Sequence, residues 1–321
     1  MTGIRRTGEV LLKRSGQALG VALAVSILCF VVVQRLPGDV SYRIAAGRYG
    51  YDLVDNAAAA AVAAELGLDR PAWQQFGSWL AALAQGDLGR SLVTSRPVGE
   101  ELAFYLLGTL QLTGAALLVA ILIGGSVGVL AARHPGSLVD HLATTWVASV
   151  RALPPFLLGL LLVLVFSVQL GWLPAVGHGN STSLVLPAMT LGLGLSGLVA
   201  RVTRETVINV WSSSYVQFAH TRGIRERLVL LRHVLRNSAV VLVPYLGAQA
   251  ILLIEGVIVV ESLFAWQGLG HALVHAVFWR DIPMLQATAL ALALLVVSLN
   301  TVVDLIVLRL DPRPRRAGAL A

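Results

Sequence analysis

A serine flanked by glycines is the first pattern in this sequence whose residue types suggest chemistry. It stands at Gly194-Leu195-Ser196-Gly197 in an apolar segment, where it suits the nucleophile of an intramembrane protease. Such a serine needs a histidine or another base within hydrogen-bonding reach. All seven histidines fall in predicted loops or at predicted helix ends: His134, His141, His178, His220, His233, His271 and His275. We therefore expect the small residues of 192–197 to allow close helix contact instead. We expect the same of Gly124, Gly125 and Gly128.

ATP hydrolysis is the second chemistry that the residues exclude. A P-loop needs a lysine directly after a glycine, so that the backbone and the ammonium group both reach the phosphates. The only lysine is Lys13, which follows a leucine. We expect no catalytic residue and no cofactor in this chain, so that any ATP must be hydrolysed by a partner.

Two histidines four residues apart, His271 and His275, have a spacing that places two imidazoles on one helical face, as in some metal sites. No glutamate lies between them, and Asp281 is the only carboxylate nearby. We therefore favour an exposed helix outside the membrane and predict no metal. We expect Arg280 and Asp281 to form a weak surface pair.

Glu255 stands in the strongly apolar stretch 251–258. A charged residue near the centre of a bilayer costs roughly 2.5–3.5 kcal/mol, so such residues usually face a pathway or a partner. Glu255 is a candidate for contact with a cationic group of a cargo, such as an amino terminus or a chelated metal. The alternative is an ion pair with an arginine of a neighbouring helix or a sister subunit. Arg151 is the obvious intrasubunit partner, just before two prolines that should kink its helix.

The elements that must position these residues are membrane-spanning helices. The 321 residues are 56% hydrophobic and 13% charged, whereas soluble domains average about 25% charged. The mean hydropathy is +0.77, and several apolar runs approach the ~20 residues that span a bilayer. These values exclude a soluble enzyme or a nucleic-acid binder. We predict an all-α polytopic protein with spans at 17–36, 104–131, 142–168, 184–207, 238–262 and 284–308.

The distribution of basic residues predicts the orientation. Sixteen of the 24 fall at the N-terminus, after the second span, from Arg201 to Arg236, or at the C-terminus, which the positive-inside rule assigns to the cytoplasm. The first span has no cleavage site after it and should be an uncleaved anchor. We expect a multi-pass protein of the inner cell membrane with both termini cytoplasmic. The predicted regions are 1–36 (N-tail and first helix), 37–103 (external loop), 104–309 (transmembrane core, including a cytoplasmic loop at 208–236) and 310–321 (C-tail).

Two segments outside the spans have helical patterns. In the external loop, an alanine-rich helix at 57–66 should precede a helix whose apolar face carries Trp73, Phe76 and Trp79. That helix is typical of a membrane interface, or else docks an external protein. In the cytoplasmic segment 212–236 we expect a short helix, a break at Gly223 and a second amphipathic helix lying on the membrane face.

The order of residues in that cytoplasmic segment resembles a known family. The stretches from Tyr215 to Ile224 and from Leu230 to Asn237 are similar to the EAA loop of ABC importer permeases. Within these, the chain resembles the B-type subunit of the dipeptide, oligopeptide and nickel permeases. The resemblance implies an ATPase-coupling loop comprising Tyr215, Gln217, Phe218, Ala219, Gly223, Arg232 and Asn237. Matching framework motifs add Pro37, Gly38, Asp39, Glu261, Gly268 and Gly270.

The resemblance also implies fold, partners and cargo. The fold would be that of type I importer permeases, and the partners a homologous C-type permease, two ATPases that bind ATP and Mg, an external binding protein and membrane lipid. The cargo would be a short peptide or a nickel or metallophore complex. Departures from the pattern are Gln217 for glutamate, Phe218 and Thr221 for small residues, and Val241 for proline. The alternatives are a rhomboid-like protease and a carrier or channel that needs no ATP.

Overall fold

The computed structural model describes residues 2–35, 39–50, 54–66, 71–177 and 181–310, and most of these residues are in helices. Within these ranges the only β-type contact is an isolated bridge between Arg90 and Pro97. The α-helices are α1 (Thr2–Arg35), α2 (Val40–Tyr49), α3 (Asn56–Leu66), α4 (Ala72–Ala84), α5 (Val98–Ala120), α6 (Ser126–Arg133), α7 (Leu138–Ala152), α8 (Pro155–Leu162), α9 (Val185–Trp211), α10 (Ser214–Thr221), α11 (Glu226–Val229), α12 (Leu235–Leu263), α13 (Leu269–Trp279) and α14 (Ile282–Leu310).

Five helical runs in the described residues are long and apolar enough to cross a membrane, and there are six if one bent pair of helices is counted as a single span. The five run through α1, α5–α6, α9, α11–α12 and α14. The bent pair is α7 and α8, which meet at 102° around Pro154 and Pro155. This confirms the predicted all-α polytopic class and the proline kink in the third span.

The fourth span, α9, lies at the centre of the bundle. In its most apolar stretch 67% of the residues are buried by protein, compared with 6% in α1 and in α14. It contacts α5, α6, α7, α8 and α12. The main apolar core joins α9 to α5 and α12 through side chains such as Leu112, Leu195 and Val257. The peripheral α1 and α14 pack against each other, with an ion pair of 2.6 Å from Arg14 to Asp304.

Glycines bring the second span against α9 at van der Waals distance. A Cβ on Gly124 would lie 2.3 Å from the Ser196 carbonyl oxygen, and one on Gly128 would lie 2.5 Å from that of Ala200. The expectation of close contact is confirmed at these positions and at Gly192, where a Cβ would meet Val119 at 2.6 Å. It is wrong for Gly125 and Gly194, which face open space.

The loop predicted to be external, residues 37–103, contains the helices α2, α3 and α4 within its described parts. Asp39 begins α2, because its carboxylate accepts hydrogen bonds from the backbone of Ser41 (2.8 Å) and Tyr42 (3.4 Å). The predicted helices at 57–66 and around Trp73–Trp79 are confirmed as α3 and α4. Phe76 of α4 packs on Phe30 of α1, with ring centroids 4.8 Å apart, whereas Trp73 is 71% exposed. An interfacial or docking role for α4 stays a prediction.

Adding one methyl group at Gly124 should destabilise the fold, whereas the same change at the next residue should not. We expect Gly124→Ala to cost about 1–3 kcal/mol, because its Cβ would press on backbone atoms of α9. Gly125→Ala is the matched control. Thermal unfolding of the purified protein in detergent measures both, and equal melting temperatures for the two variants would contradict the packing described here.

Candidate functional site

The helix α10 is anchored to the bundle by one face. Val216 and Ala219 are buried in a small apolar cluster. Its other fully or nearly buried members are Ala132, Val207, Val229 and Val234. These come from the ends of the second, fourth and fifth spans, so α10 rests on three spans at once, on the side predicted to be cytoplasmic.

The opposite face of α10 is an aromatic surface open to solvent. Tyr215 is 44% and Phe218 57% exposed, and the Arg222 guanidinium lies 4.6 Å from the Phe218 ring centre. Exposed Gln217 only reaches back to the Trp211 carbonyl oxygen, at 3.4 Å. Large aromatic and arginine side chains of this kind are typical anchors of protein interfaces. This face can bind a protein partner without disturbing the contacts that hold α10.

The break at Gly223 is confirmed, and it is a tight helix end. The Gly223 N–H donates to the His220 carbonyl (2.9 Å), and the Ile224 N–H donates to that of Ala219 (3.3 Å). This pair of bonds is the Schellman motif, whose residue after the helix end takes a left-handed conformation. Gly223 has φ of +72°, which glycine adopts without strain. The end of α10 is therefore fixed rather than frayed.

The predicted second amphipathic helix on the membrane face is wrong. The chain instead runs from α11 through a π-helical turn at Leu230–Val234 directly into α12, so that the fifth span begins at Glu226. Its first turns bury Val229 and Val234 while Leu231 points outward, and nothing before Pro244 interrupts the helix. Arg232 lies exposed on the π-helical turn, and the Asn237 amide donates to the His233 carbonyl at 2.6 Å.

Two ion pairs that the sequence analysis did not identify surround this region. Arg133, at the end of α6, contacts Glu226 at the start of α11 at 2.7 Å. Arg204 of α9 forms a two-pronged pair with Asp140 of α7, at 2.5 and 2.6 Å. Both pairs join residues far apart in sequence. The only sequence signal for the two ion pairs was that their charged residues lie at or near predicted helix ends.

The framework residue Glu261 is a completely buried carboxylate near the end of α12. It accepts hydrogen bonds from the Thr109 hydroxyl of α5 (2.7 Å) and from the backbone N–H of His271 (3.0 Å). The Thr109 oxygen in turn accepts from the Leu269 N–H at 2.8 Å. Free N–H groups at a helix start attract negative charge. Glu261 therefore holds the beginning of α13 against α5 and α12.

Gly268 and Gly270 leave room for that carboxylate. A Cβ on Gly268 would lie 2.0 Å from a Glu261 carboxylate oxygen, and one on Gly270 would lie 2.7 Å from the Ile258 Cα. The structure thus brings three of the six framework residues together. Asp39 caps α2 elsewhere, while Pro37 and Gly38 lie outside the described residues.

Two residues of the Glu255 hypothesis have no described side chain. Glu255 belongs to α12 and Arg151 to α7, but neither side chain is among the described parts of the chain. Contact of Glu255 with a cargo or with an arginine stays a prediction.

At the end of the molecule predicted to be external, His271 and His275 line a cavity of about 250 Å³ together with Glu101 and Tyr105. Their ring centres are 4.4 Å apart. Burial, and then the neighbouring His275, lowers the pKa of His271 below that of an ordinary histidine. Within the described ranges no group of three or more metal-ligating residues is arranged to hold an ion.

The expectation of a weak surface pair at Arg280 and Asp281 is wrong, because both residues are buried, with 6% and 4% exposed. The Asp281 carboxylate accepts hydrogen bonds from the Ser91 hydroxyl and from the Leu92 N–H (3.1 Å). It also accepts one from the Met284 N–H in the first turn of α14. Asp281 therefore ties the external loop to the start of the last span.

Ser196 is a buried packing residue of α9 and is not part of a catalytic site. It is completely buried, and its hydroxyl donates to the Leu193 carbonyl of its own helix at 2.7 Å. No hydrogen bond joins it to a histidine among the described residues.

Comparison with known proteins agrees with the resemblance seen in the sequence. Residues 124–316 match the family described as binding-protein-dependent transport system inner membrane component. The chain is 38% identical to the glutathione transport system permease protein GsiC of Pectobacterium atrosepticum, over 95% of this chain and 98% of that protein. It is equally identical to GsiC of Escherichia coli K12, over 91% and 94% of the two chains.

The fold is also similar to solved structures. A permease chain of the MetNI methionine ABC transporter superposes with a TM-score of 0.55 at 18% identity, over 66% of this chain and 96% of that one. These similarities do not favour a protease or an ATP-independent carrier.

Replacing the Glu261 carboxylate by an amide should weaken the junction of α5, α12 and α13. In Glu261→Gln, the new NH₂ group would face either the Thr109 hydroxyl, which donates to Glu261, or the backbone N–H of His271, so one of these two hydrogen bonds is lost. We expect a loss of about 1–3 kcal/mol in unfolding free energy. The exposed Glu205→Gln is the control. Unfolding in detergent compares them, and a Glu261→Gln protein as stable as the control would show that the carboxylate is dispensable.

Proposed function

We propose that this chain, which belongs to the family of binding-protein-dependent transport system inner membrane components, is the ABC importer permease subunit for a short peptide of the glutathione class. One observation carries the choice of cargo. Over 95% of its length the chain is 38% identical to a glutathione transport system permease. Membership in the family makes the chain a multi-pass inner membrane protein and a transport subunit.

The partners in this proposal are those that an ABC importer requires. A homologous C-type permease completes the pathway, two ATPases bind ATP and Mg on the cytoplasmic side, and a binding protein delivers the cargo from outside. Both termini of this chain lie in the cytoplasm, because the basic residues concentrate on that side. The ATPases meet this chain at the exposed face of α10.

The geometry of α10 supports this role. One face, with Val216 and Ala219, is held by the spans, and the other presents Tyr215 and Phe218 to solvent. A movement imposed on that face passes into α9, which ends two residues before α10 begins. It also passes through the Arg133–Glu226 ion pair and α11 into the second and fifth spans. The transport pathway then opens to one side of the membrane and next to the other through movement of whole helices about hinges.

Losing the exposed aromatic group at position 218 should detach the ATPases without unfolding the permease. Phe218 is exposed, and its one described ring contact is with Arg222 on the same surface, so Phe218→Asp should weaken ATPase binding by about tenfold or more. Arg227→Ala, an equally solvent-facing change on α11, is the control. Co-purification of the ATPases in mild detergent gives the result. If the Phe218→Asp protein retained the ATPases in full, α10 would not be part of the ATPase interface.

The first experiment on the whole proposal is purification of this chain from its native membrane with mass spectrometry of the accompanying proteins. We expect a second permease and ATPases. The assembled complex in liposomes is then tested with labelled glutathione, an unrelated dipeptide and a nickel chelate. Uptake of the nickel chelate in preference to the two peptides would contradict the proposed cargo. In the same assay, Glu255→Gln with unchanged affinity and preference would exclude contact between Glu255 and cargo.

A further inference from the structure

We propose that Asp140 and Arg204 are positioning residues for transport, which make α7, the inner half of the third span, move as one body with α9 and the coupling helix α10. This inference rests on the proposed function. It assigns a role to a pair of residues outside the coupling loop and outside the junction at Glu261.

The contact between the two side chains is geometrically restrictive. Arg204 donates through Nε to one Asp140 oxygen (2.5 Å) and through Nη2 to the other (2.6 Å). The second oxygen also accepts from the Gly136 N–H at 2.9 Å, just before α7 begins. Asp140 is only 6% exposed. A two-pronged guanidinium–carboxylate contact fixes orientation as well as distance. The start of α7 therefore cannot slide or rotate on α9 without breaking several bonds.

A second contact fixes the register between the same helices. A Cβ on Gly197 of α9 would lie 3.3 Å from the Val147 Cα of α7, which places the two backbones side by side. Val147 follows Asp140 by seven residues, and Gly197 precedes Arg204 by seven. The two helices therefore run antiparallel in register for about two turns, or roughly 10 Å. An ion pair at one end and a glycine contact at the other join them as one unit.

The outer half of the third span, α8, contacts both α9 and α12. Its Gly159 packs on the end of α12, where a Cβ would lie 2.9 Å from Leu263 and 3.2 Å from Phe264. That end of α12 is next to Glu261. Between the halves, Pro154 has no N–H to donate, and the axis turns by 102°. The third span thus changes direction at the prolines, so that α7 is tied to α9 by the ion pair and the Gly197 contact, whereas α8 lies between α9 and the end of α12.

The position of Arg204 connects this unit to the coupling helix. Arg204 lies seven residues before Trp211, which ends α9, and α10 begins at Ser214. A displacement of α10 therefore reaches the ion pair along a single helix of two turns. Buried ion pairs add little net stability compared with apolar packing, and their best-attested use is to fix register. The Asp140 side chain is buried whereas that of Arg204 is 31% exposed, and a role in fixing α7 to α9 accounts for this partly buried pair.

The test uses the complete transporter in liposomes, with ATP hydrolysis and peptide uptake measured together. In Asp140→Asn we expect the ATPases to remain bound and basal hydrolysis to continue, while peptide imported per ATP falls about tenfold, within the usual range of coupling energies. Glu205→Gln is the control, because Glu205 adjoins Arg204 but pairs with Arg201 of its own helix, at 3.0 Å. It should transport normally.

A covalent rescue separates positioning from a general loss of stability. In a Cys29→Ser background, Asp140→Cys with Arg204→Cys should be uncoupled when reduced and regain coupling when the thiols are joined by a short methanethiosulfonate cross-linker. Should Asp140→Asn fail to fold, Arg204→Lys keeps the charge with one prong and should show a partial loss. A cross-link that blocks uptake, or normal coupling in Asp140→Asn, overturns the inference. If the unaltered complex lacks ATPases, the proposed function itself fails.

Discussion

The carboxylate of Glu261 is the constraint on which the outer half of the molecule depends. A buried charge without partners would be prohibitive, and this one is surrounded by donors from α5 and α13. Satisfying it requires Thr109 and the first turn of α13 to be in place, and it requires glycine at 268 and 270. Three helices therefore take their relative positions from one side chain. The neighbouring Trp266 adds a hydrogen bond from its indole to the Gly108 carbonyl at 2.9 Å.

The inner half of the molecule is organised differently, around α9. In lipid there is no hydrophobic driving force between helices, so close contact of small residues and a few polar bonds must hold them. Gly124 and Gly128 bring the second span onto α9, and Asp140 joins the third span to Arg204. The two halves thus differ in chemistry: the half around Glu261 has a hydrogen-bonded junction, and the half around α9 is a helix bundle with ion pairs at its end.

Hydropathy predicted the class and the spans because bilayer thickness acts on each helix separately, and the motifs around Gly223 and Glu261 identified the family. Contacts between distant segments were not predictable in this way. Nothing in the order of residues pairs Asp140 with Arg204. Adjacent Arg280 and Asp281 suggested a surface pair, whereas in the structure Asp281 is buried and its carboxylate accepts a hydrogen bond from Ser91. Gly125 and Gly194 were mistaken for contact positions because composition does not tell which side of a helix faces a neighbour. The inner start of the fifth span was missed because its arginines resemble those of a loop.

That early start has a mechanical consequence. From Glu226 to Leu263 the backbone is one continuous helical run, which at 1.5 Å per residue is about 57 Å long. It starts three residues after the Gly223 turn and ends just beyond the buried carboxylate. Strain entering at one end reaches the other through peptide hydrogen bonds alone, without crossing an interface between side chains. Pro244 removes one ladder bond from this run, and the π-helical turn at Leu230–Val234 changes the bonding pattern near its start, so these are the two places where such a rod bends most easily.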